Sequence, residues 1–177
     1  MSLFNLGRFQ LASGQSSNFK IDCDFLRLED WRAVAAQLAA LVGPFGKVEG
    51  VPKGGILLAQ MMDSLSTCVC GHLKAEVYYA PGYDSSKQRG HQSTGSCWVT
   101  GCSCQQFTPI DQLLVVDDVW TTGGSMLKHL NGRTAKGAVL FARGPTPAWV
   151  VPLFRMTVEP ASVSVGPRAD LEVDRVS

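Results

Sequence analysis

The 177 residues fall within the span one globular domain usually takes, and 45% of them are apolar, enough to bury a sizeable core. Sixteen Lys and Arg against fifteen Asp and Glu leave a formal net charge of +1, which removes the electrostatic basis for non-specific binding to nucleic acid or to an anionic membrane. The best apolar stretch, Gly55 to Met62, stops at Asp63, short of the roughly 18 residues a bilayer span needs. The opening Met-Ser-Leu-Phe-Asn has neither the basic nor the long apolar region of a secretory signal, so a soluble, cytoplasmic protein is expected.

Leu28 to Val42 places Trp31, Val34, Ala35, Leu38, Leu41 and Val42 at helical spacing, with Glu29 and Asp30 at its start and Gly43-Pro44 at its end, and predicts a helix. Lys47 to Val51 reads as a short strand, Gly55 to Leu65 as a strongly apolar helix, and Lys74 to Ala80 as an alternating strand. Pro81 to Gly95 is rich in Gly, Ser, Lys, Arg, His and Gln without periodicity, and predicts a mobile loop. Leu113-Leu114-Val115-Val116 is a continuous apolar run bounded by polar residues, as expected of a central strand covered on both faces. A helix over Gly123 to Leu130 and a strand over Ala138 to Ala142 follow. Strands alternating with helices predict an α/β domain over residues 1–155 with a mainly parallel sheet, followed by a weakly structured polar tail over 156–177.

Six cysteines occur, at 23, 68, 70, 97, 102 and 104, and the absence of a secretory signal favours reduced thiols over disulfides. Cys68-Val-Cys70 and Cys102-Ser-Cys104 could converge on one zinc ion, but this pattern is less specific than paired C-x-x-C knuckles, and plain buried or surface thiols are the favoured reading. His72, His91 and His129 show no obvious metal spacing.

The segment richest in chemistry is Val115-Val116-Asp117-Asp118-Val119-Trp120-Thr121-Thr122-Gly123-Gly124-Ser125. It puts two carboxylates at the C-terminal end of a strand and a small-residue turn before a helix, the position at which parallel α/β sheets bind ligands. Glycines let backbone wrap closely around a ligand, the first N–H groups of a helix lack partners, and hydroxyls add donors, so the turn suits a phosphate. Adjacent carboxylates would repel that phosphate and suit vicinal hydroxyls or a hydrated cation instead. A sugar phosphate meets both requirements. Trp120 beside the turn is expected to pack rather than to stack on a ligand.

This segment closely resembles the 5-phosphoribosyl-1-diphosphate (PRPP) motif of the type I phosphoribosyltransferases. The resemblance implies their three-layer fold with a flexible loop and a small N-terminal hood, here residues 1–28. It also implies that Asp117 and Asp118 bind the ribose hydroxyls, directly or with a magnesium ion, and that Thr121, Thr122, Gly123, Gly124 and Ser125 hold the 5-phosphate. Gly50-Val51-Pro52-Lys53-Gly54-Gly55 is similar to the family's diphosphate loop, which often carries a cis peptide bond; Lys53 and Gly54 would meet the diphosphate. Ser85-Ser86-Lys87-Gln88-Arg89-Gly90-His91 resembles the flexible catalytic loop of orotate phosphoribosyltransferases, with Arg89-Gly90-His91 where those enzymes have K-x-H-G. Lys87, Arg89 and His91 would then close over the reaction and offset charge on departing diphosphate.

Gly7 to Asp22 resembles the hood segment G-x-F-x-L-x-S-G-x-x-S-x-x-Y-x-D of the orotate enzymes, with Ala12 and Lys20 departing from it. The resemblance places Phe19, Lys20 and Ile21 beside the base, together with Arg143 after the next strand. It implies transfer of the phosphoribosyl group from PRPP to a nucleobase, orotate-like by preference, with Mg2+, in a homodimer without nucleic-acid partners. Two other readings stay open: a PRPP-binding sensor or regulatory protein that no longer catalyses transfer, which the altered loop and hood favour, and a purine-type phosphoribosyltransferase.

Overall fold

The computed structural model describes residues 2–10, 14, 16–74, 90–91 and 95–156. Its order is β1 (Phe4–Gln10), β2 (Ser16–Ile21), α1 (Leu28–Val42), β3 (Lys47–Gly50), α2 (Gly55–Asp63), β4 (Leu113–Trp120), α3 (Gly124–Leu130), β5 (Lys136–Ala142) and β6 (Val150–Arg155). The expected strand over 74–80 and the expected tail fall almost wholly outside the described residues.

A four-stranded parallel sheet runs in the order β3-β4-β5-β6. Leu114 and Val116 face one side of it with Ala138 and Leu140, against α1 and α2; Val115 and Val139 face the other with Met126 and Leu130 of α3. Burial on both faces explains why the central strand reads as an unbroken apolar run. Helices on both sides of a parallel sheet make the α/β arrangement that the alternation of elements predicts, in the three layers that the resemblance implies.

Helix α1 buries Trp31, Ala35, Leu38 and Val42, one stripe at helical period. At its start the Asp30 carboxylate accepts the Arg27 N–H at 2.9 Å. At its end Gly43, at φ +69°, donates to the Ala39 carbonyl, and Lys136 Nζ on β5 donates to the Val42 and Pro44 carbonyls at 3.0 and 3.1 Å. These bonds occupy groups that a helix end leaves without intrahelical partners. On the opposite side Glu49 of β3 accepts both arms of Arg133 at 2.9 and 2.8 Å and lies 3.1 Å from His129 Nε2, tying the end of α3 to the sheet edge. Hydrogen bonding from Arg133 holds Glu49 below the usual carboxylate range.

Two elements go beyond the sequence-based expectations. The hood is an antiparallel hairpin of β1 and β2 with a register shift between Leu6 and Phe9. Its inward residues Phe19 and Ile21 join the main core, and Phe4 meets Phe141 edge to face at 5.6 Å. Strand β6 carries Pro152, which lacks an N–H and is tolerated because β6 lies at the edge of the sheet.

Candidate active site

Strands β3 and β4 are parallel neighbours, so their C-terminal ends, and the turns that follow, lie side by side. Gly50 pairs with Val116, and the Val51 N–H donates to the Val116 carbonyl at 2.8 Å, which brings Pro52-Lys53-Gly54 against Asp117-Asp118. The Pro52–Lys53 peptide is cis. Close approach is built from glycine at two positions. A Cβ at Gly50 would strike the Gly55 backbone, and one at Gly54 would overlap all three terminal atoms of the Asp118 carboxylate. The carboxylate therefore lies directly on the turn that carries Lys53, whose side chain is exposed and forms no ion pair among the described residues.

The two carboxylates differ in setting. The Asp118 N–H donates to Asp117 Oδ1 at 2.9 Å and the Val119 N–H to Asp118 Oδ1 at 2.8 Å, so backbone donors orient one oxygen of each group. Asp117 is 9% exposed; burial, then the adjacent Asp118 charge, pushes its carboxyl up to about 8. Asp118 is half-buried and also raises the Cys23 thiol, whose own burial is the larger cause.

Because the folded value of Asp117 lies above its ordinary 3.8, the unfolded chain ionises first as pH rises. Stability that depends on the neutral form is complete below about pH 4, is lost progressively as pH rises to about 8, and changes no further above that. Asp117→Asn cannot ionise. Its melting temperature should gain on the parent from pH 5 to pH 8.5 and then hold level; a difference independent of pH would show that Asp117 is charged in the fold throughout.

Beyond β4, Thr121, Thr122, Gly124 and Ser125 form an open turn into α3. Gly123 enters the helix at φ +80°, a left-handed conformation, and a Cβ there would strike the Trp120 ring. Trp120 packs as expected: its indole N–H donates to the Pro145 carbonyl at 3.1 Å and its ring meets Trp149 edge to face at 6.2 Å.

The hairpin supplies a third wall. Arg143, whose N–H donates to the Trp120 carbonyl at 2.9 Å, lays its guanidinium over the Phe19 ring at 3.8 Å and donates to Ser17 Oγ. Its Nε is buried without a hydrogen-bond partner among the described residues, and burial lowers the group's pKa. An open cleft of about 820 Å3 is lined here by Arg143 with Arg8, Phe9, Gln10, Ser16, Ser17 and Asn18. Arg8 was not singled out from sequence; one arginine in a seven-residue strand carries no signal until the hairpin brings it to the cleft that Arg143 also lines.

The structure brings Lys53, Gly54, Asp117, Asp118 and the Thr121–Ser125 turn to adjoining strand ends, and joins Phe19 to Arg143. Lys20 and Ile21 do not meet there. Strand alternation sends Lys20 outward, where it pairs with Asp22 at 2.9 Å, and Ile21 into the core. Lys87 and Arg89 lie outside the described residues. His91 differs from its expected place among loop cations: it is 3% exposed, with Nε2 3.3 Å from Cys70 Sγ and Nδ1 2.7 Å from the Gly95 carbonyl.

The chain resembles solved orotate phosphoribosyltransferases over about 80% of its length. The enzyme from Aeropyrum pernix is 24% identical, with 80% of this chain and 76% of that one covered and a TM-score of 0.46. The Mycobacterium tuberculosis H37Rv enzyme is 18% identical, with 79% and 77% covered and a TM-score of 0.43. Leishmania donovani UMP synthase is 19% identical over 80% of this chain and 29% of its own, with a TM-score of 0.47. No family model and no curated protein matches the sequence. No described helix is long and apolar enough to cross a membrane.

Proposed function

We propose that this chain transfers the 5-phosphoribosyl group of PRPP to a nucleobase with release of diphosphate, with an orotate-like acceptor preferred. The observation that carries the reading is the Asp118 carboxylate lying on Gly54: the carboxylates suited to ribose hydroxyls and the turn suited to diphosphate form one surface. The adjoining Thr121–Ser125 turn offers backbone and hydroxyl donors to the 5-phosphate. Arg143 and Arg8 both line the neighbouring cleft, and two cationic residues there favour an anionic acceptor such as a pyrimidine carboxylate.

The donor set fits magnesium. Asp117 and Asp118 are hard oxygen ligands; burial, and after it the Asp118 charge, favours a proton on Asp117, and a divalent cation between them would favour the ionised form instead. When bound with PRPP, the ion supplies charge neutralisation to the diphosphate leaving group. The chain's own residues do the rest. The two carboxylates orient the ribose and stabilise positive charge as C1 becomes oxocarbenium-like. Lys53, with Lys87 and Arg89 of the loop, offsets negative charge as the C1–oxygen bond breaks and the base nitrogen takes its place at C1. Arg143, fixed over Phe19, holds the base in line.

The test is to incubate the protein with PRPP, magnesium and, separately, orotate, uracil and the purine bases, and to measure diphosphate. Release with orotate is expected. Release with a purine alone would replace the acceptor. No release with any base, while calorimetry still shows PRPP binding, would leave the sensor reading in place of the enzyme.

A further inference from the structure

Between α2 and β4 the chain makes an excursion, residues 64–112, that the proposed transfer reaction uses only through its loop. In its described residues this unit has no helix and no strand beyond isolated bridges, Thr67 with Leu73, Leu73 with Gly90, Cys68 with Pro109 and His91 with Cys97. Among its described residues the one fully buried apolar side chain is the Cys68 thiol, while Val69 and Trp98 are exposed. The described residues bury little apolar surface among themselves, and small units with little core are usually stapled by a disulfide or a metal.

Five of its cysteines and two of its histidines converge instead. Cys68, Cys70, His91 and Cys104 have their ligand atoms within 4.8 Å of one another, and so do Cys70, His72, Cys97 and Cys102. Cys70 belongs to both groups. None of the cysteines forms a disulfide. We infer that this unit binds two zinc ions, each held by four of these residues, with the Cys70 thiolate shared between them.

The bond lengths of tetrahedral zinc place two thiolate ligands about 3.8 Å apart and a thiolate and an imidazole nitrogen about 3.6 Å apart. The Cys68 and Cys104 sulfurs are 3.7 Å apart, Cys70 lies 3.5 Å from His72 Nδ1 and 3.3 Å from His91 Nε2, and Cys97 lies 3.3 Å from His72 Nδ1. The ligand count closes: two tetrahedral ions need eight positions, and seven residues with one bridge supply them. The charges nearly cancel as well, five thiolates against two divalent cations.

Surrounding groups orient the ligands as metal sites require. His91 Nδ1 faces the Gly95 carbonyl at 2.7 Å, which sets the tautomer with Nε2 free toward Cys70. The Thr108 N–H points at the Cys68 sulfur at 3.3 Å. Tight turns present the cysteines: Gly71 at φ +84° closes Cys68 to His72, and Gly101 at φ +85° helps fold Cys97 to Cys104, whose ends bond N–H to carbonyl at 3.0 Å. The C-x-C spacing, weak by itself, gains its histidines from chain folding. His129, by contrast, is engaged with Glu49.

The inference stands apart from the phosphoribosyl transfer and is tested without it. The full chain, produced with zinc available and purified under reducing conditions without chelator, should hold two zinc atoms per chain by mass spectrometry. Cys70→Ser should lose at least one of them, and Cys23→Ser, which lies outside the cluster, should keep both. Should Cys70→Ser fail to fold, cobalt titration of the reduced, metal-stripped parent decides: thiolate-to-cobalt absorption should saturate at two equivalents. Saturation at one equivalent would overturn the shared thiolate. Less than half a zinc per chain with no thiolate-to-cobalt absorption would overturn the site.

Discussion

Asp118→Asn should lower the rate of diphosphate release by about 10²-fold or more while the melting temperature stays near that of the parent. Asparagine has the same shape and keeps an oxygen to accept the Val119 N–H, a bond of 2.8 Å in the parent, so the end of β4 has no reason to rearrange. What it removes is the charge facing Gly54 and the ribose position. In the proposed transfer that charge acts on positive character that develops at C1 only in the transition state, so kcat should fall more than PRPP affinity. Turnover at the parent rate would remove Asp118 from the mechanism. A fall accompanied by a large drop in melting temperature would show a structural effect instead.

The second large effect is expected at Gly54. A methyl group there overlaps Asp118 Oδ1, Cγ and Oδ2 together, so Gly54→Ala must push the carboxylate off the turn or open the turn itself. Overpacking of this kind costs about 1–3 kcal/mol, and PRPP affinity should fall at least tenfold because both halves of the surface move. The interpretation is checked by a double-mutant cycle with Asp118→Ala, which makes room for the added methyl. In that background Gly54→Ala should cost little stability, giving a coupling of about 0.5–3 kcal/mol, while PRPP affinity stays low. Additive losses would mean that the two groups do not touch.

The Thr121–Ser125 turn between β4 and α3 was legible in the sequence because everything that forms it is contiguous. An apolar strand, two acidic residues and a Thr/Gly turn occupy Val115 to Ser125, and both a strand end and a helix start can be read from local pattern. The Gly50–Gly55 turn was legible for the same reason. Helix α1 was as clear, since the stripe from Trp31 to Val42 matches its burial in the fold. Strand β6 was hidden by Pro152, which speaks against a strand wherever it stands but is harmless at a sheet edge. Lys20 and Ile21 were grouped with Phe19 by their place in one segment, yet the strand sends Lys20 to the face opposite Phe19, and Ile21, on the same face as Phe19, is buried in the core.

Composition, charge, the alternation of helix and strand from α1 to β5 and the two turns around the parallel strands were determined by the sequence alone, because each is read from composition or from residues a few positions apart. Three things were decided only by tertiary structure: that Asp118 lies on Gly54, that Arg143 stacks on Phe19, and that His72 and His91 join five cysteines. Each brings together segments that are separate in the chain: 64 positions lie between Gly54 and Asp118, 124 between Phe19 and Arg143, and 36 between Cys68 and Cys104 at the ends of the cluster. Spacing in the sequence is silent about such pairs. Strand pairing fixes the first, the hairpin docking on the sheet fixes the second, and the turns of the excursion between α2 and β4 fix the third.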